Sequence, residues 1–168
     1  MHNRLTLGYM TDKALKSVSH EDANALTHIN LAFGVIRDGL LDMSRLPNIR
    51  EIDRIRDYNA TLKIVLSIGG WGAGGFSPMV GREDRRAAFI ESCAKAVQTY
   101  GLDGIDIDWE YPTSSMANIS ASPDDTENFT LLMKDIRAAI GDQKELTLAT
   151  VASAKYIDFK AILPFINF

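Results

Sequence analysis

The run Asp103-Gly104-Ile105-Asp106-Ile107-Asp108-Trp109-Glu110-Tyr111-Pro112 decides how this chain is read. Acidic and apolar residues alternate along it. On an extended strand successive side chains point to opposite faces. Asp106, Asp108 and Glu110 therefore share one face, and Ile105, Ile107 and Trp109 share the other. Neighbouring acids are then about 6.6 Å apart along the strand. Two arrangements produce such a pattern. A half-exposed antiparallel strand would put its acids in water. A strand of a parallel sheet, covered on both faces, would turn the three acids into an enclosed space.

The flanking sequence favours the second. Apolar runs at Leu5–Tyr9, His28–Phe33, Lys63–Ile68, Gly104–Glu110 and Leu146–Ala152 read as five strands. Helical patterns lie between them at Ile49–Tyr58, Arg82–Tyr100 and Pro123–Ile140. Phe89, Cys93 and Val97 form one stripe of the second. Phe129, Leu132, Met133 and Ile136 form one on the third, which Ser122 can cap and Gly141 can end. Ala14–Leu26 reads as one short helix or two broken turns. Alternating strands and helices imply right-handed βαβ units and an α/β parallel sheet. The tail reads as a short helix from Phe159, then the start of a further strand that stops at Phe168.

Bulk composition narrows the function. The chain has 168 residues, 46% hydrophobic and 24% charged, with a net charge of -4. Its basic residues are scattered, so nucleic acid is not an expected partner. No apolar run approaches the ~20 residues of a membrane span. Met1–Tyr9 lacks the basic-then-apolar pattern of a secretion signal. The single cysteine, Cys93, sits in an apolar helical pattern and reads as an inert core thiol.

Enclosed carboxylates cannot all ionise freely. Burial and like charge raise at least one pKa and keep a proton available near neutral pH. Glu110, nearest the C-terminal end of the strand, is the natural donor; Asp106 lies deeper and would tune or share a proton with Asp108. The rival chemistry is a metal site on Asp106-Ile107-Asp108. The three histidines, His2, His20 and His28, lie far from it in sequence, so no metal and no cofactor is expected.

The D-x-x-D-x-D-x-E pattern from Asp103 to Glu110 resembles the signature of glycoside hydrolase family 18, the chitinase and endo-β-N-acetylglucosaminidase type. Ser67-Ile68-Gly69-Gly70-Trp71 is similar to that family's S-x-G-G element. Gly8-Tyr9, Asn30-Leu31-Ala32-Phe33 and Tyr111-Pro112 add to the resemblance, which runs over essentially the whole chain. It implies a (β/α)8 TIM-type barrel, here reduced to about five βα units, with residues 1–168 a single partial barrel domain. It also implies retaining, substrate-assisted hydrolysis of β-1,4-linked N-acetylglucosamine. Glu110 would be the acid/base, Asp108 would hold the substrate acetamide, Asp106 would support Asp108, and Asp103, Ser67 and Gly69 would be structural. Tyr9, Phe33, Gly70, Trp71 and Tyr111 are the candidate sugar contacts. Trp109, Phe89 and Phe129 are expected in the core.

The resemblance further implies a sixth-strand tyrosine and an eighth-strand tryptophan, which these residues do not include. Five strands leave the first and fifth with open edges, which predicts self-association. They also predict little or no activity for the chain alone. A glycan-binding lectin without hydrolysis, and peptidoglycan or N-glycan in place of chitin, remain open alternatives. Family habit suggests export.

Overall fold

The computed structural model describes residues 4–168. Five strands form one parallel sheet in the order β1 (Leu7–Thr11), β2 (His28–Arg37), β4 (Lys63–Gly69), β5 (Gly104–Asp108) and β6 (Glu145–Leu148). The helices are α1 (His20–Ala25), α2 (Glu51–Tyr58), α3 (Phe76–Val80), α4 (Glu83–Tyr100), α5 (Asp125–Ile140) and α6 (Phe159–Ile162). This is the expected α/β barrel-type succession, with β1 and β6 at the two edges.

One face of the sheet makes the core. Ile29, Leu31, Ile64, Leu66, Ile68, Ile105, Ile107 and Leu146 are fully buried. They share one apolar cluster with Ile52 and Ile55 of α2, Phe89, Cys93 and Val97 of α4, and the expected stripe of α5. Burial pushes the Cys93 thiol well above its ordinary pKa, so it stays protonated and inert. Trp109 is buried as expected, stacked on Phe76 at 5.1 Å and edge-on to Phe129 at 6.1 Å. The other face is polar: Asn30, Ser67, Asp106 and Thr147 are buried there.

Several boundaries differ from the sequence reading. The first strand was expected at Leu5–Tyr9 but begins at Leu7, because the Thr6 N–H bonds the Thr27 hydroxyl and pairing starts at Leu7 opposite His28. The second runs past Phe33 to Arg37 and turns back as β3 (Leu40–Asp42), antiparallel to it. Asp38 and Gly39 form that turn, both at positive φ, as a tight hairpin requires. The acidic strand ends at Asp108, and β6 ends at Leu148 beside it. Glu110 therefore stands on the following loop, and the chain leaves the ladder after the Ala149 N–H, which donates to the Ile107 carbonyl at 3.1 Å. The uncertain segment at 14–26 is two pieces, a 3₁₀ turn over Asp12–Ser17 and α1, which carries a Ser19–Asp22 capping box. The third long helix starts at Asp125, two residues late; the Ser122 hydroxyl accepts from the Asp124 N–H. No strand forms at the tail, but the Asn167 N–H donates to the Leu146 carbonyl on the outer edge of β6.

Gly104 lies where β6 leaves no room for a side chain on β5. A Cβ built there would lie 2.0 Å from the Glu145 carbonyl oxygen, which is backbone and cannot swing away. At Gly39 nothing lies within 4 Å, and only its φ of 79° opposes a side chain. Gly104→Ala should cost more than ~3 kcal/mol in urea denaturation, against about 1 kcal/mol for Gly39→Ala. Equal costs would contradict this account of the β5–β6 contact.

Candidate active site

The register brings Ser67 of β4, Asp106 of β5 and Thr147 of β6 side by side on the polar face. A buried carboxylate needs hydrogen bonds to replace water. Asp106 receives three: from Ser67 Oγ at 2.8 Å, from Thr147 Oγ1 at 2.6 Å and from the Tyr9 hydroxyl at 2.9 Å. Tyr9 thus ties β1 to β5. Burial, then the charge of Asp106, pushes the Tyr9 pKa upward, so its hydroxyl remains a donor.

Two residues further on, Asp108 closes β5 and is buried. It lines a cavity of about 260 Å³ with Glu110, Tyr9, Phe33, Tyr111 and Thr150. Its pKa is pushed up to about 7, first by burial, then by the charges of Glu110 and Asp106. Enclosure thus raises a carboxyl pKa on this strand, and the carboxyl is Asp108. Tyr111 is also raised, by burial and then by the charge of Glu110. Its ring stacks on Tyr156 at 5.0 Å and meets Trp71 edge-on at 6.4 Å.

The two glycines after Ile68 shape the mouth. Gly69 and Gly70 have φ of 124° and 92°, values that L side chains rarely adopt. A Cβ on Gly69 would lie 2.1 Å from the Asp108 carbonyl oxygen, and one on Gly70 would meet the Phe33 ring at 3.2 Å. The Gly70 N–H donates to the Asp108 carbonyl at 2.9 Å. The end of β4 is thereby fixed against the acid-bearing end of β5. The Ala32–Phe33 and Glu110–Tyr111 peptide bonds are both cis.

The residues singled out from sequence therefore separate into groups. Tyr9, Phe33, Asp108, Glu110 and Tyr111 share the acidic cavity. Gly69, Gly70 and Trp71 line a neighbouring cavity, which also includes Phe33. Asp106 and Ser67 are bonded to each other beneath the mouth. Asp103 sits at the opposite end of the strand, accepting from the Ile64 N–H at 2.9 Å and from Arg56 at 3.2 Å, with Lys63 at 3.5 Å. Among the described residues no group of three His, Cys, Asp or Glu side chains is arranged to hold a metal. Sequence reasoning missed Thr147 and Tyr156. Thr147 needed the β5–β6 register, and Tyr156 lies 45 positions beyond the ring it stacks on.

The family model described as glycosyl hydrolases family 18 matches residues 6–168. The chain belongs to this family. A solved family 18 N-acetylglucosaminidase from Paenibacillus barengoltzii superposes with a TM-score of 0.94 at 38% identity, covering 99% of this chain and 52% of that one. The chitinase domain of the spore coat protein CotE from Clostridium difficile gives 0.91 at 33%, covering 99% and 48%. Chitinase A1 of Niallia circulans is 36% identical over 118 residues, 65% of this chain and 17% of that protein. The family 18 chain described here thus spans about half of those solved structures and a smaller share of that curated relative.

The raised Asp108 pKa has a consequence for stability. An unfolded aspartate loses its proton near ~3.9. The folded one keeps it to about 7. Between these values the folded state binds more protons, so stability falls as pH rises from ~4 to ~7. Asp108→Asn removes that loss. It should gain more than ~1 kcal/mol over the wild type between pH 5 and pH 8 in urea denaturation. A pH-independent difference would contradict the assignment.

Proposed function

We propose that this chain carries the proton donor and acetamide-orienting acids of a hydrolase acting on β-1,4-linked N-acetylglucosamine, the polymer class that the chitinase names of its relatives indicate. The observation that carries this is the shared cavity of Asp108 and Glu110, walled by the rings of Tyr9, Phe33 and Tyr111. Pyranose rings present apolar C–H faces that aromatic rings cover, while the acids meet the polar linkage.

Glu110 takes up the proton held on Asp108 and gives it to the glycosidic oxygen as the C1–O bond breaks, which leaves Asp108 ionised. The acetamide oxygen of the same sugar attacks C1 from the other side and forms a cyclic oxazolinium ion. Asp108 accepts the acetamide N–H and balances the positive charge. Water then attacks C1, returns a proton to Glu110 and restores the original configuration. No second carboxylate is required as nucleophile. Asp106, bound by Tyr9, Ser67 and Thr147, is held in place behind Asp108. Five strands supply one side of such a site, and hydrolysis by this chain alone is slow.

The test is release of fluorophore from an N-acetylglucosamine oligomer by the chain and by Glu110→Gln, with oligomer binding measured in parallel. A positioned general acid contributes roughly 10²–10⁴-fold. Slow turnover that falls at least ~100-fold in the variant, with binding retained, supports the hydrolase. Binding with equal rates in both proteins would leave a glycan-binding protein and remove Glu110 from the chemistry.

A further inference from the structure

Beside the acidic cavity lies a larger one of about 630 Å³. That volume is within the range of small-ligand sites. The Phe33 ring is common to both, so a chain lying across Phe33 extends from one into the other. Trp71 stands at its rim, 61% exposed, an aromatic surface of the kind that covers a sugar ring. Three basic side chains, Lys13, Arg37 and Arg45, also line it.

Two acids stand near these three cations, Asp12 in the lining and Asp42 beside Arg37, which leaves an excess of one positive charge. Asp12 is the one carboxylate in the lining, and both its oxygens are taken by Asn48, from the N–H at 2.8 Å and from Nδ2 at 2.6 Å. Arg37 is paired with Asp42 at 3.1 Å. Hydrogen bonds from Ser44, and then the charges of Arg37 and Arg45, hold the Asp42 pKa below the ordinary value. Among the described residues, neither Lys13 nor Arg45 lies within 4.0 Å of a carboxylate oxygen. A chain of net charge -4 thus presents a locally positive hollow next to an acidic one. A neutral polymer makes no use of that contrast.

We propose that this second cavity is an anion-selecting subsite: it takes the neighbouring sugar of the glycan when that sugar carries a negatively charged substituent, paired with Lys13 and Arg45. The proposal rests on the glycan reading above and deepens it. A carboxylate ether and a sulfate or phosphate ester share this chemistry. The negative substituent lies over the cations, while the acetamide-bearing sugar lies against Asp108 and Glu110. Like charge keeps the anionic sugar out of the acidic cavity, so the two hollows together set the register of an alternating glycan.

The test is calorimetric titration of the chain with three tetrasaccharides. One is all N-acetylglucosamine, one alternates it with N-acetylmuramic acid, and one carries 6-O-sulfate. Lys13→Gln/Arg45→Gln is titrated alongside. Both residues are exposed, so the variant should fold. At least one acidic oligomer should bind the wild type roughly fivefold or more tighter than the neutral one at low salt. The ratio should shrink at high salt and fall to about one in the variant. Whichever acidic oligomer gains most identifies the substituent. Equal affinities in the wild type, or an advantage that survives the double substitution, would overturn the subsite alone. Failure of all three oligomers to bind would overturn both the subsite and the reading beneath it.

Discussion

A carboxyl buried on the polar face of a parallel sheet is the constraint around which this molecule is built. Asp106 is almost completely removed from water, and an isolated charge there would be prohibitively costly. Three hydroxyls resolve the problem, and they come from β1, β4 and β6, the strands on either side of β5 and the far edge. A replacement at any of these positions leaves a buried oxygen short of a donor. The polar face is therefore specified as tightly as the apolar one, and the C-terminal ends of the strands are held in register where the chemistry is placed.

That rigidity is passed upward. Asp108 is fixed by the same strand and by the Gly70 N–H on its carbonyl, so its side chain stands where burial and two neighbouring charges act together. Glu110 lies past the end of the ladder, on the loop that follows β5. The aromatic walls come from separate elements, Tyr9 from β1, Phe33 from β2 and Tyr111 from the loop after β5. The fold thus sets two acids on the strand and a third just beyond its end.

Much of this could be read from the residues. The apolar stripe of Phe89, Cys93 and Val97 and the period-2 alternation of the acidic strand are local signals; the helix and the start of the strand formed where those signals placed them. The family signature located Asp106, Asp108, Glu110, Gly69 and Gly70, which the structure gathers toward one end of the sheet, while its first acid, Asp103, stands at the other end. What escaped was set at a distance or written too briefly. Strand β5 stops at Asp108 because β6 stops beside it at Leu148, a limit that no property of Trp109 or Glu110 announces. The five-residue helix Phe76–Val80 is too short for a period to show and contains Pro78. The hairpin at Asp38-Gly39 did carry a turn signal, which the apolar run before it obscured. Tyr9 was read as a sugar contact; its hydroxyl is also committed to Asp106, a bond across 97 residues of sequence.

The central claim is electrostatic: the inner face stores a proton on Asp108 because it is buried beside Glu110 and Asp106. The direct measurement is a carbon-13 NMR titration of the Asp108 carboxyl in the wild type and in Glu110→Gln. The account predicts a midpoint of about 7 in the wild type. It predicts a lower value in the variant that still lies above the ordinary ~3.9, since burial is the larger cause and persists. A wild-type midpoint near ~4, or one that Glu110→Gln does not move, would contradict it.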